Sequence, residues 1–135
     1  MTDKIITTFT DGGARGNPGP AGIGFVLKEN GQTIFAKGEY IGKTTNNQAE
    51  YRALLRALEE AVKLGATEVN CFLDSELLVK QLNYQYKVRD PDLAVHFARA
   101  VQLSKNFKKI TFTHIRREKN TEADALVNAA IDAAT

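Results

Sequence analysis

The spacing of apolar and polar positions changes period along the chain, and the changes mark out the elements. Lys4 to Thr10, rich in Ile, Thr and Phe, reads as a strand and runs into a turn-forming stretch, Asp11-Gly-Gly-Ala-Arg-Gly-Asn-Pro-Gly-Pro20. Ala21 to Lys28 and Gln32 to Ile41 form a predicted hairpin across Asn30-Gly31. Tyr51, Leu54, Leu55, Leu58, Ala61 and Val62 then recur at helical spacing, and Gly65 stands where that helix ends. Val69 to Leu73 is a short apolar strand. A second helix starts at Ser75 and carries Leu77, Leu78 and Leu82, and Asp90-Pro91 breaks the chain before a third, Asp92 to Lys105. Ile110 to Ile115 is the fifth strand and Asn120 to Ala134 the last helix.

Three meandering strands followed by helix-strand-helix-helix-strand-helix predict an α/β fold, one mixed five-stranded sheet flanked by helices. The fourth strand, reached through a helix, is expected parallel to the first. Neighbouring strands lie about 4.8 Å apart, so Asp11 and Asp74, each ending its strand, are expected side by side at one sheet edge.

Composition narrows the class. The chain has 135 residues, 43% hydrophobic and 25% charged, which is globular and sized for one domain, 1–135. No apolar run approaches a membrane span, and Met1-Thr2-Asp3-Lys4 leads into a strand without a signal-like stretch. The lone Cys71 can build neither an internal disulfide nor a thiolate metal site. The expectation is a soluble, cytoplasmic, reduced protein. Formal net charge is only +2, but from Arg99 to Arg117 lie Arg99, Lys105, Lys108, Lys109, Arg116 and Arg117 with no acidic residue, a stripe suited either to a polyanion or to plain solvation.

Four carboxylates are candidates for chemistry, and each has a structural alternative. Asp11 fits a turn, Glu50 a capping box with Asn47, Asp74 a helix start beside Ser75, and Asp124 a box with Thr121. Against four coincidences stands position: Glu50 lies about 40° from Leu54 around the helix, at the edge of the buried stripe. Two such charges about 4 Å apart repel by roughly 4 kcal/mol at an effective dielectric near 20, so a cluster needs a cation or protonated acids. Oxygen donors without His or Cys favour Mg²⁺, Mn²⁺ or Ca²⁺ over Zn²⁺. Gly38 to Thr44 looks like a phosphate-binding loop but is one residue short of the required spacing and follows a hairpin strand.

The motifs Phe9-Thr-Asp11-Gly-Gly, Gly16-Asn-Pro-Gly-Pro-Ala-Gly, Thr44-Thr-Asn-Asn-Gln-Ala-Glu50-Tyr, Leu73-Asp74-Ser75 and Arg117-Glu-x-Asn-x-x-Ala-Asp124-x-Leu strongly resemble ribonuclease H type 1. They run in family order from Phe9 to Asn128. The resemblance implies a ribonuclease H-like fold and an endonuclease that cuts the RNA strand of an RNA–DNA hybrid with two Mg²⁺ ions, Mn²⁺ substituting; no obligatory protein partner is evident in the sequence, and a monomer is expected. It assigns Asp11, Glu50, Asp74 and Asp124 as metal-binding acids. Asn17, Asn46 and Asn47 match the family's groove-contacting positions, Lys43 and Thr45 its phosphate-holding ones. The chain departs in two places. Asn83 to Asp92 is too short for the basic, Trp-containing protrusion of many bacterial relatives, and there is no Trp, so few phosphate contacts are expected. The catalytic-loop His is missing, since His114 falls in the fifth strand; Arg117 resembles the Arg that compact, archaeal-like members use there, with Glu118 the competing candidate.

Overall fold

The computed structural model describes residues 3–135; Met1 and Thr2, part of the N-terminal reading above, lie outside the described residues. Strands β1 (Ile5–Ala14), β2 (Gly19–Glu29) and β3 (Gln32–Thr44) are followed by α1 (Asn46–Lys63), β4 (Glu68–Leu73), α2 (Glu76–Leu82), α3 (Pro91–Ser104), β5 (Lys109–His114), a 3-10 turn (Arg117–Lys119) and α4 (Thr121–Ala134). The sheet order is β3-β2-β1-β4-β5, with β1 antiparallel to β2 and parallel to β4, as the crossover argument requires. Among the described residues no helix is long and apolar enough to cross a membrane.

Alternation along the strands sorts the two faces. Ile23 and Phe25 of β2, with Ile6, Val69, Cys71 and Leu73, pack under Tyr51, Leu54 and Leu58 of α1 and under α2 and α3. Burial pushes the Cys71 thiol up to about 12, consistent with a core role. The intervening positions of β2 are Gly22 and Gly24, and they face α4. A Cβ on Gly24 would collide with the Ala123 carbonyl, and one on Gly38 would stand 2.5 Å from the Leu126 carbonyl oxygen. The backbone of α4 therefore rests directly on the sheet.

Three strands run longer than the sequence reading has them: β2 starts at Gly19, not Ala21, β3 continues to Thr44, not Ile41, and β1 reaches Ala14, not Thr10. Asp11-Gly-Gly is strand, not turn: Asp11, Gly12 and Gly13 pair with Gly24, Ile23 and Gly22, and only residues 15–18 bend the chain. Asp11 does not end β1 but is the first residue past its pairing with β4, whose last pair is Thr10–Leu73. That is enough. Asp11 and Asp74 each follow that pair on adjacent strands.

Candidate active site

Gly12 decides how close α1 comes to β1. A Cβ there would collide with the Ala49 backbone and lie 2.5 Å from the Glu50 nitrogen, so the first turns of α1 settle against β1 only because Gly12 is bare. Thr45 caps α1, its Oγ1 accepting from the Gln48 N–H at 3.3 Å. The Asn47–Glu50 box is thus not formed, and the Glu50 carboxyl is left facing Asp11. Ser75 caps α2 in the same way, accepting from the Leu78 N–H at 3.3 Å, which relieves Asp74 of that task. The expected Thr121–Asp124 box is absent too: Asn120 holds the N-cap position of α4, and Asp124 continues the helix with its N–H on the Asn120 carbonyl at 3.1 Å.

Carboxylate oxygens of Asp11, Glu50 and Asp74 lie within 4.8 Å of one another. Burial and then the Asp74 charge push the Asp11 carboxyl up to about 7, with Asp124 adding in the same direction. Burial, Asp74 and Asp11 likewise hold Glu50 well above the usual carboxylate range, opposed by the Gly12 backbone N–H. Asp11 and Glu50 under this pressure, with Asp74 within reach, form a hard-oxygen donor set that a divalent cation would relieve. Asp124 stands outside the 4.8 Å group but beside Asp11, and both line a cavity of about 270 Å³ with Asn46, Arg117 and Asn128. Asn128 Nδ2 donates to Asp124 Oδ2 at 3.4 Å.

The other candidates fall around this cluster. Arg117 lines the cavity from the 3-10 turn; Glu118 is not among its lining residues, and its carboxylate stands 4.0 Å from Arg116. His114 is exposed in β5. Asn46 accepts from the Ala14 N–H at 2.8 Å while its own backbone N–H donates to Asn17 Oδ1 at 3.0 Å, so the β1–β2 turn and the start of α1 are tied together. Asn17, Lys43, Asn46 and Asn47 are exposed on this side and Thr45 is half-buried. The basic run does not make one stripe. Lys108 and Lys109 stand before and at the start of β5, Lys108 3.4 Å from Asp3, while Arg116 and Arg117 lie beyond its far end, roughly 17 Å along the strand at about 3.3 Å per residue.

Two features escaped the sequence reading. Asn120 Nδ2 donates to the Thr10 carbonyl at 2.8 Å and to Asp74 Oδ2 at 3.0 Å. The sequence signals were an Asn at a helix start and its fixed place in the Arg117-Glu-x-Asn-x-x-Ala-Asp124 motif, neither of which names its partners. Between α2 and α3, exposed Tyr84 and Tyr86 stand with exposed Lys87 and Arg89, neither ion-paired among the described residues.

Residues 9–130 match a family described as reverse transcriptase-like. The structure of an RNase H1 from the halophilic archaeon Halobacterium salinarum superposes with a TM-score of 0.93 and 42% identity, covering 96% of this chain and 98% of that one. The chain belongs to the ribonuclease H type 1 family. A second structure in that family, the N-terminal RNase H domain of a Mycobacterium tuberculosis protein, superposes with a TM-score of 0.95 at 42% identity over 98% of this chain and 96% of that one. A third ribonuclease H1, isolated from compost and solved in complex with an RNA/DNA hybrid, is 49% identical with a TM-score of 0.91, over 96% of this chain and 98% of that one. This chain spans 36% of the length of the mycobacterial bifunctional protein (47% identical) and 64% of the Halobacterium ribonuclease HI (44% identical).

Proposed function

We propose that this chain is an endonuclease that hydrolyses the RNA strand of RNA–DNA hybrids, leaving 5′-phosphate and 3′-hydroxyl ends. The observation that carries the reading is the Asp11–Glu50–Asp74 cluster, with Asp11 pushed up to about 7. Asp11 and Glu50, pushed toward protonation by burial and by the Asp74 charge, fit a cation-binding role with Asp74 beside them. Asp11, Glu50, Asp74 and Asp124 would hold two Mg²⁺ ions, with Mn²⁺ as a substitute; bound there, the pair supplies an activated water and neutralises charge on the leaving 3′ oxygen.

The remaining steps belong to the chain's own residues. Asp11, which faces both Glu50 and Asp124, would supply ligand oxygens alongside each of them. Arg117 reaches the same cavity and is assigned to product release in place of the missing His. Telling RNA from DNA requires reading the 2′-hydroxyl in the wide minor groove. With the Asn46 side-chain oxygen committed to Ala14 and that of Asn17 to Asn46, their amide NH₂ groups are left as donors for it, with Asn47 beside them. Lys43 and Thr45 are assigned to phosphates of the DNA strand. The same reading makes the protein a cytoplasmic monomer.

Matched RNA–DNA, RNA–RNA and DNA–DNA duplexes, with and without Mg²⁺, test the proposal. Cleavage confined to the hybrid's RNA strand and lost without Mg²⁺ or in Asp11→Asn supports it. Metal-independent cleavage, or a fully active Asp11→Asn, refutes it.

A further inference from the structure

The connection from β5 to α4 carries a buried amide that the reading above leaves without a task. Asn120 is 2% exposed, occupies the N-cap position of α4, and makes no cap hydrogen bond with its side chain. Its Nδ2 donates instead to the Thr10 carbonyl at 2.8 Å and to Asp74 Oδ2 at 3.0 Å. Thr10 closes the pairing of β1 with β4, and Asp74 follows β4 directly. A single side chain thus bridges β1 and β4 where their pairing stops, from the segment that leads into Asp124.

The chemistry fixes which way the amide lies. The Thr10 carbonyl can only accept, and so can ionised Asp74; turned over, Asn120 would set Oδ1 against two oxygens. In the orientation adopted, Oδ1 is buried and has no partner. An apolar side chain of the same size would avoid that cost, so packing alone does not explain an asparagine here. A lysine or arginine would also donate to Asp74, but its charge would compete with a cation. A neutral donor fixes the carboxylate and leaves its charge intact.

We infer that Asn120 is a positioning residue for Asp74: it holds one carboxylate oxygen, fixes the direction in which the other meets a cation, and couples that setting to the helix that carries Asp124. The inference rests on the cation site of the proposed function and not on its substrate.

The test uses the full chain with Asn120→Leu, close in volume, and Asn120→Ala. Mn²⁺ binding is measured by calorimetry without nucleic acid, beside the Mg²⁺ dependence of hybrid cleavage. Both variants should bind Mn²⁺ about tenfold more weakly. In an Asp74→Asn background, adding Asn120→Leu should weaken binding no further. Unchanged affinity in the single variants overturns the inference. So does an equal loss in both backgrounds, because Asn120 would then act through the fold and not through Asp74. Should neither variant fold, the wild type decides by NMR: Asn120 side-chain amide protons slow to exchange and shifted by Asp74→Asn support the bridge, and freely exchanging ones overturn it. Wild type that binds Mn²⁺ but cuts no hybrid counts against the proposed function alone.

Discussion

The Tyr51 hydroxyl donates to Gln81 Oε1 at 2.6 Å, both side chains buried. Tyr51 follows Glu50 on α1, and Gln81 lies on α2, the helix that begins just after Asp74. The bond therefore braces the elements that bring two of the clustered acids together. Tyr51→Phe keeps the ring and leaves the Gln81 oxygen buried without its donor, which should cost about 1–3 kcal/mol. Urea unfolding measures it, and an unchanged midpoint refutes the prediction.

Stability without metal should depend on pH through the acid cluster. Asp11 rises from an ordinary 3.8 to about 7 on folding, so between those values the native state holds the proton more firmly than the unfolded chain. Its contribution is complete below about pH 4 and is lost as pH rises through about 7, worth at most roughly 4 kcal/mol. Glu50 acts in the same direction. The difference in unfolding midpoint between Asp11→Asn and wild type, in chelator, should therefore grow in the variant's favour from pH 5 to pH 8. Saturating Mg²⁺ should shrink it. A difference that does not vary with pH removes the repulsion argument.

Arg117 and Glu118 should separate kinetically. Arg117 lines the cavity with Asp11 and Asp124, whereas Glu118 faces Arg116. Arg117→Ala should lower kcat about tenfold, roughly 1.4 kcal/mol in the barrier, with KM for hybrid nearly unchanged. Glu118→Ala should behave as wild type. A change in KM alone would reduce Arg117 to a phosphate contact.

Hybrid affinity should respond weakly to salt. Lys43 is an exposed cation just before Asn46 and Asn47, Arg15 near Asn17 is paired with Asp132 at 2.6 Å, and the basic run is split between the two ends of β5. With Asp11→Asn protein, the log-affinity against log-salt slope should have a magnitude of about 2 to 3, and Lys43→Ala should take away about 0.9. A slope of about 6 would instead bring in Lys87 and Arg89 beside Tyr84 and Tyr86.

Topology was legible because it depends on local signals: alternation, the Asn30-Gly31 turn, and a helical crossover that makes β4 parallel to β1. The extent of β1 was not. Gly12 reads as turn chemistry, yet serves to admit α1, a contact between segments far apart in sequence. The capping boxes read at Glu50 and Asp124 do not form, and Thr45 and Ser75 cap α1 and α2, which no local pattern decides. The Asn120 bridge joins residues 46 and 110 positions apart and leaves no periodic trace.

The bare strip under α4 carries a consequence for tolerance to change. Gly24 pairs with Asp11 across β1 and β2, and it seats the backbone of α4 one residue before Asp124. The height of that helix is thus set by an absent methyl group, and so is the gap between two acids on different elements. A displacement of about 1 Å in such an arrangement can cost about a hundredfold in rate. Gly24 and Gly38 touch no nucleotide in this reading, yet they calibrate the reacting centre as a shim calibrates a bearing: nothing can be added there without moving the parts it separates.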